Sequence, residues 1–195
     1  MTADRDRLTE VLDATYVCLG RYGARRVTMD DIAREMGVSR SAVYQYVRGK
    51  DDAVLRLARR LHDRALERAE TAAASDVPAA ERVHGILAAK LHLVLDLAGH
   101  SPHAAELLDT KARWSGDVCD AFTARLRELL AEQFARAHGA ADPAWPRPRA
   151  TPEQSADICV ALVVGLETAP GAADLLRPAT DALLTGLLPH PAPTS

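Results

Sequence analysis

Apolar residues recur along most of the chain at intervals of three and four, and nowhere alternate with polar ones over the length of a strand, so the pattern predicts helices throughout. Thr28 and Asp31 have the spacing of a capping box, which starts a helix at Met29. Ile32 and Met36 share one face of that helix, Ala33 is small enough to admit a neighbour, and Gly37 supplies the positive φ that ends it. Val38 plugs the turn, Ser39 is the N-cap of a second helix and Val43 its core residue. Two helices joined by so short a turn form a helix-turn-helix; the competing reading is an ordinary two-helix corner. Lys50 opens a further helix, running from Asp51 to about Thr71, with a stripe of Val54, Leu57, Ala58, Leu61 and Ala65. Arg59, Arg60, Arg64 and Arg68 lie largely outside the stripe and read as a solvated face.

Ser75, Asp76 and Pro78 mark a break, after which Leu87, Leu91 and Leu95 repeat on a helix of about residues 79 to 99. Gly99, Ser101 and Pro102 interrupt it; a shorter helix is expected from 102 to 114 and a long amphipathic one from 117 to 138, through Phe122, Leu126, Leu129, Leu130 and Phe134. A loop with three prolines, residues 139 to 150, leads to a restart at Thr151, Pro152 and Gln154. The stretch from Ile158 to Leu166 is apolar nearly all round, and a last helix, expected to begin near Pro178, carries Leu183, Leu184, Leu187 and Leu188. Residues 189–195 read as a disordered tail. So much apolar surface on two helices needs a partner. Ala161 and Gly165 would allow close approach of a second subunit, with Ile158, Leu162, Leu183 and Leu187 completing an isologous four-helix interface. The alternative is burial inside one chain.

Composition narrows the possibilities. With 195 residues, 48% of them hydrophobic, the chain suffices for a small lobe and a larger helical body. Net charge is −3, but residues 1–68 hold 14 Lys and Arg against 11 Asp and Glu, a net of +3, which leaves −6 for the rest. That mild asymmetry, at a pI of about 6.2, excludes a protein that coats nucleic acid non-specifically and favours local, specific binding. Cys18, Cys119 and Cys159 are far apart, with no CxxC pair, and read as buried thiols of a reducing compartment. The charged start and the short apolar runs predict a cytoplasmic protein without a membrane span. No nucleophile with an adjacent base, glycine-rich phosphate loop or carboxylate cluster is found, so no enzyme and no cofactor are expected. His84, His92, His100 and His103 lack ligand spacing, and no metal site is expected.

The second helix of the helix-turn-helix carries chemistry that burial does not explain. Besides Val43 it presents Arg40, Ser41, Ala42, Tyr44 and Gln45 outward. Arg and Gln can bond purine edges in the major groove, Ala contacts the thymine methyl, and Ser and Tyr hydroxyls donate to phosphates. Lys50 at a helix start is unfavourable against the macrodipole unless an anion sits there, as a phosphate would.

From about Leu8 to Val54 these residues resemble the TetR-like transcriptional regulators: Gly23 closing the first helix, then Thr28, Ile32, Ala33, Gly37, Val38, Ser39, Tyr44, Tyr46 and Lys50 in order. Leu19 and Val47 replace usual phenylalanines, Gln45 and Tyr46 replace an aromatic-histidine pair, and Ala53 replaces a leucine. The resemblance implies an all-α fold: a three-helix DNA-binding domain over 1–50, and a helical effector and dimerisation domain over 51–195 in which 51–71 is the connecting helix. It implies that Arg40, Ser41, Ala42 and Tyr44 touch bases or adjacent backbone while Thr28, Tyr46 and Lys50 hold phosphates. It also implies a homodimer on a palindromic operator in double-stranded DNA, acting as a repressor, with two readers roughly 34 to 36 Å apart or somewhat more. A small-molecule effector would occupy a cavity within 79–138, for which Leu91, His92, Asp109, Trp114, Cys119 and Phe122 are the candidate lining. The alternative is a dimeric regulator under constitutive or protein-partner control.

Overall fold

The computed structural model describes residues 2–100, 103, 116–141 and 150–188. Among the described residues there are eight helices and no strand: α1 (Thr2–Arg26), α2 (Met29–Met36), α3 (Arg40–Val43), α4 (Lys50–Ala74), α5 (Ala79–His100), α6 (Gly116–Gly139), α7 (Pro152–Leu166) and α8 (Ala172–Leu187). The fold is all-α, as the periodicity predicts. The helix expected over 102–114, apart from His103, and the tail 189–195 lie outside the described residues.

The helices pack as two units. The first takes the chain up to Asp63 with the described part of Val94 to Asp120; the second takes Arg64–Leu93 with the described part from Ala121 onward. Val54, Leu57 and Ala58 of α4 are buried in the first unit.

In the first unit α1 packs on α2 and α2 on α3. Leu19, Ile32, Val43 and Leu57 are fully buried, each stabilising the unit by about 1.5–3 kcal/mol. Of the departures from the family pattern, Leu19, Val47 and Ala53 are likewise buried and alter core volume, whereas Gln45 is exposed and Tyr46 half-buried. Local signals set the ends of α2. Thr28 Oγ1 accepts from the Asp31 amide at 3.2 Å while the Asp31 carboxylate accepts from the Thr28 amide at 3.0 Å. Gly37, at φ 67°, closes a Schellman turn in which its N–H donates to the Arg34 carbonyl and that of Val38 to the Ala33 carbonyl. At Gly23, φ 78° interrupts α1 before its last turn.

In the second unit Ile86, Leu87 and Leu91 of α5 and Leu126, Leu130 and Phe134 of α6 are fully buried. Gln133 is buried among them; its Oε1 accepts from Arg82 Nε at 2.7 Å and its amide donates to the Leu129 carbonyl. Gly85 is required by a close crossing: a Cβ there would lie 2.7 Å from that of Ala72. The restart at Thr151 is a second capping box, closed by Gln154, and α7 packs on α8. α8 begins at Ala172, after Gly171 at φ 69°, and not near Pro178, which lies inside the helix. Pro178 there deprives the Asp174 carbonyl of its donor, a cost that Leu176, Thr180 and Leu184, all buried, offset by packing.

Candidate nucleic-acid interface

Ser39 begins α3 by accepting the Ala42 amide at 3.3 Å. Regular helix ends at Val43, and Tyr44, Gln45 and Tyr46 continue as a turn whose amides bond back to the carbonyls of Arg40, Ala42 and Val43. Val43 and Val47 anchor the segment from within; Arg40, Ser41, Tyr44 and Gln45 are exposed, and Ala42 and Tyr46 half-buried. Tyr44, 42% exposed, is a large aromatic left on the surface beside a cation.

That cation is Arg40. Its Nη2 donates to Tyr44 Oη at 3.1 Å, its guanidinium carbon lies 5.5 Å from the Tyr44 ring centroid, and its Nη1 is 3.6 Å from Asp30 Oδ2. The Tyr44 hydrogen bond first, and the Asp30 charge next, raise the Arg40 pKa further above its ordinary value. Two nitrogens are thus partly engaged, and the remaining N–H groups of the fork can meet a base edge or a phosphate. Ser41 Oγ lies 2.9 Å from Ser39 Oγ.

Thr28 and Lys50 also make bonds within the chain. The Thr28 hydroxyl donates to Asp31 Oδ2 at 2.6 Å, a bond that contributes most to holding the Asp31 carboxyl below its usual range. Lys50 Nζ donates to the Arg25 carbonyl at 3.1 Å, joining the start of α4 to the end of α1. The structure therefore brings Arg40 on α3 against Tyr44 just past its end, closes the capping box that spacing gives Thr28 and Asp31, and gives Lys50 a partner, the Arg25 carbonyl, that spacing does not reveal. Asp30 is a participant that the sequence reading missed. Nothing in a linear pattern signals it, because it reaches Arg40 only through the angle between α2 and α3.

The other candidates separate. Leu91 and Phe122 are buried in the second unit and Cys119 in the first, whereas His92 is exposed. Asp109 and Trp114 lie outside the described residues. Cys119 Sγ lies 3.5 Å from Nε2 of His62, a buried histidine whose Nδ1 lies 2.8 Å from the Ala58 carbonyl oxygen. On α7 the buried side is Ser155, Ala156, Cys159, Val160 and Val163, while Ile158, Ala161, Val164 and Gly165 are exposed and Leu162 is half-buried. On α8, Leu183 is half-buried and Leu187 turns into its own chain. The exposed apolar surface there is carried instead by Leu175, Pro178 and Ala182, beside Gly186. No described helix is long and apolar enough to cross a membrane.

Residues 11–57 match the family model of bacterial regulatory proteins of the tetR family. No curated protein matches the chain. Among solved structures, a TetR/AcrR-family transcriptional regulator from Thermobifida fusca YX-ER1 superimposes with a TM-score of 0.74 at 19% identity, over 93% of this chain and 98% of the other. SmeT in complex with triclosan gives 0.70 at 21% identity, over 96% and 99%. FadR of Bacillus subtilis in complex with stearoyl-CoA gives 0.65 at 16% identity, over 92% and 97%. Residues 11–57 thus match the tetR family of bacterial regulatory proteins, and the chain has the fold of the TetR-family transcriptional regulators on which it superimposes.

Proposed function

We propose that the chain binds a palindromic operator as a homodimer and represses transcription, with release by a small-molecule effector. The observation that carries the DNA-binding part is the exposed pairing of Arg40 on α3 with Tyr44 just after it, flanked by exposed Ser41 and Gln45 and held from within by Val43 and Val47. A fork donor and an aromatic hydroxyl on an exposed, anchored segment suit a major-groove edge and its adjoining phosphates. Residues 1–50 serve as the reader and 51–195 as the effector and dimerisation part. Thr28, Tyr46 and Lys50 approach phosphates, Lys50 with the two N–H groups left by its bond to the Arg25 carbonyl, and Thr28 by turning its hydroxyl proton from Asp31 to the phosphate. Pairing through α7 and α8 is supported by the exposed apolar positions Ile158, Val164 and Leu175, which are 40%, 48% and 43% exposed, with small Ala161, Gly165, Ala182 and Gly186 around them. SmeT with triclosan and FadR with stearoyl-CoA are proteins of this fold that hold small molecules, which supports an effector here without indicating its chemistry. A regulator without a small-molecule effector is the second reading.

Selection from a random duplex library by the purified protein tests the first part, with enrichment of a palindrome as the expected result. Recovery of only salt-sensitive, unenriched DNA would defeat it. Thermal shifts across a metabolite panel separate the two readings, since a ligand bound by the folded state alone raises the melting temperature.

A further inference from the structure

A carboxylate beside a DNA-reading arginine requires explanation, because a negative charge on a surface that meets phosphates opposes binding. Asp30 is such a group. It is exposed on the first turn of α2, with Oδ2 3.6 Å from Arg40 Nη1 and the Arg40 side chain also exposed. Tyr44 holds the same guanidinium from the other side, by the 3.1 Å hydrogen bond to Nη2 and by its ring. Arg40 is thus restrained from two sides, by Asp30 of α2 and by Tyr44 in the turn that follows α3, where an unpaired surface arginine would sample many rotamers. Holding a fork donor in one orientation reduces the entropy lost on forming a bidentate contact, and bidentate contacts distinguish bases. The charge acts in the same direction: it partly cancels the attraction of Arg40 for any phosphate while the remaining N–H groups of the fork can still bond a base edge.

We propose that Asp30 is a positioning residue for specificity: it orients Arg40 for base contact and lowers affinity for non-cognate DNA, so that its removal tightens non-specific binding while weakening discrimination. This rests on the reading of Arg40 as a base-contacting residue. Helix stabilisation, which any acidic residue in the first turn of α2 supplies, predicts a different outcome. It would lower the melting temperature and leave the ratio of specific to non-specific affinity unchanged.

The test uses full-length wild-type protein, Asp30→Asn, Asp30→Glu and Arg40→Ala. Each undergoes selection from a random duplex library, then titration against the enriched wild-type duplex and a scrambled duplex of the same composition, with melting recorded by circular dichroism. For Asp30→Asn the ratio of the two affinities is expected to fall roughly five- to tenfold, part of what one bidentate base contact supplies. The scrambled duplex should be bound more tightly, and base preference should relax at the position that Arg40→Ala also relaxes. Asp30→Glu, which keeps the charge within reach, should retain most of the ratio. An unchanged ratio in Asp30→Asn, with Arg40→Ala still losing specificity, would overturn the role of Asp30 and leave the DNA-reading assignment standing. Unchanged specificity in Arg40→Ala would overturn the reading of Arg40, and the role of Asp30 with it.

Discussion

Lys50 has two possible duties, and substitution by alanine separates them. In the structure its Nζ donates to the Arg25 carbonyl at 3.1 Å, so Lys50→Ala removes one hydrogen bond between the start of α4 and the end of α1. Because the lysine is only half-buried, water can take its place on that carbonyl, which limits the stability cost to about 0.5–1.5 kcal/mol. The ammonium has two further N–H groups, and if it neutralises one phosphate its loss removes about 0.9 from the slope of log affinity against log salt concentration. Between 50 and 200 mM salt, that difference narrows the gap between wild type and variant by roughly 3.5-fold, with the larger gap at low salt. Titration of the selected duplex at four salt concentrations in that range, with urea denaturation of both proteins, gives slope and stability separately. The expected result is a slope shallower by about one unit and an equal loss of affinity for cognate and scrambled duplexes. An unchanged slope with reduced stability would refute the phosphate contact and leave Lys50 as a strut between α1 and α4.

Ile158→Glu and Leu175→Glu place charges at exposed positions, so each should leave helical content intact while abolishing dimers in light scattering at micromolar concentration; a dimer persisting in both would remove this face from the interface. At Gly85→Ala the new Cβ would sit 2.7 Å from that of Ala72, and overpacking of about 1–3 kcal/mol outweighs about 1 kcal/mol of helix propensity, so net destabilisation is expected by urea titration. Ala72→Gly should then raise stability in that background and lower it in wild type, and the same sign in both would show that the crossing relaxes. Burial of His84, and secondarily the Arg177 charge, lower its pKa in the folded state. The unfolded chain therefore binds more protons just below the ordinary histidine pKa. Stability should fall as pH drops through about 6.5 and level off below the folded pKa, a decline that His84→Gln should flatten in melting curves.

The helix-turn-helix was legible in advance because its signals are local. Thr28 caps an amide three residues away, Gly37 takes a conformation that strains other residues, and Ser39 bonds the Ala42 amide, so each boundary follows from spacing alone. The start of α8 was not legible on those terms: Pro178 resembles a first-turn proline, and only its buried neighbours reveal that the helix had already begun. Orientation was equally hidden on α7. A helix apolar nearly all round carries no periodicity to say that Cys159 and Val163 turn inward while Ile158 and Val164 remain outside.

By itself the sequence determined that the chain is helical, where α2, α3 and α7 begin, and which short segment carries exposed donors suited to DNA, because those features depend on hydrogen bonds and turns within a few residues. Tertiary structure alone decided that His92 faces outward, that Leu187 faces its own chain, that Gly85 must pass Ala72, and that Asp30 and Lys50 meet Arg40 and the end of α1. Those pairings depend on the angles and distances at which helices cross, and these are set by how buried side chains such as Ile32, Val43 and Leu57 fill the space between them.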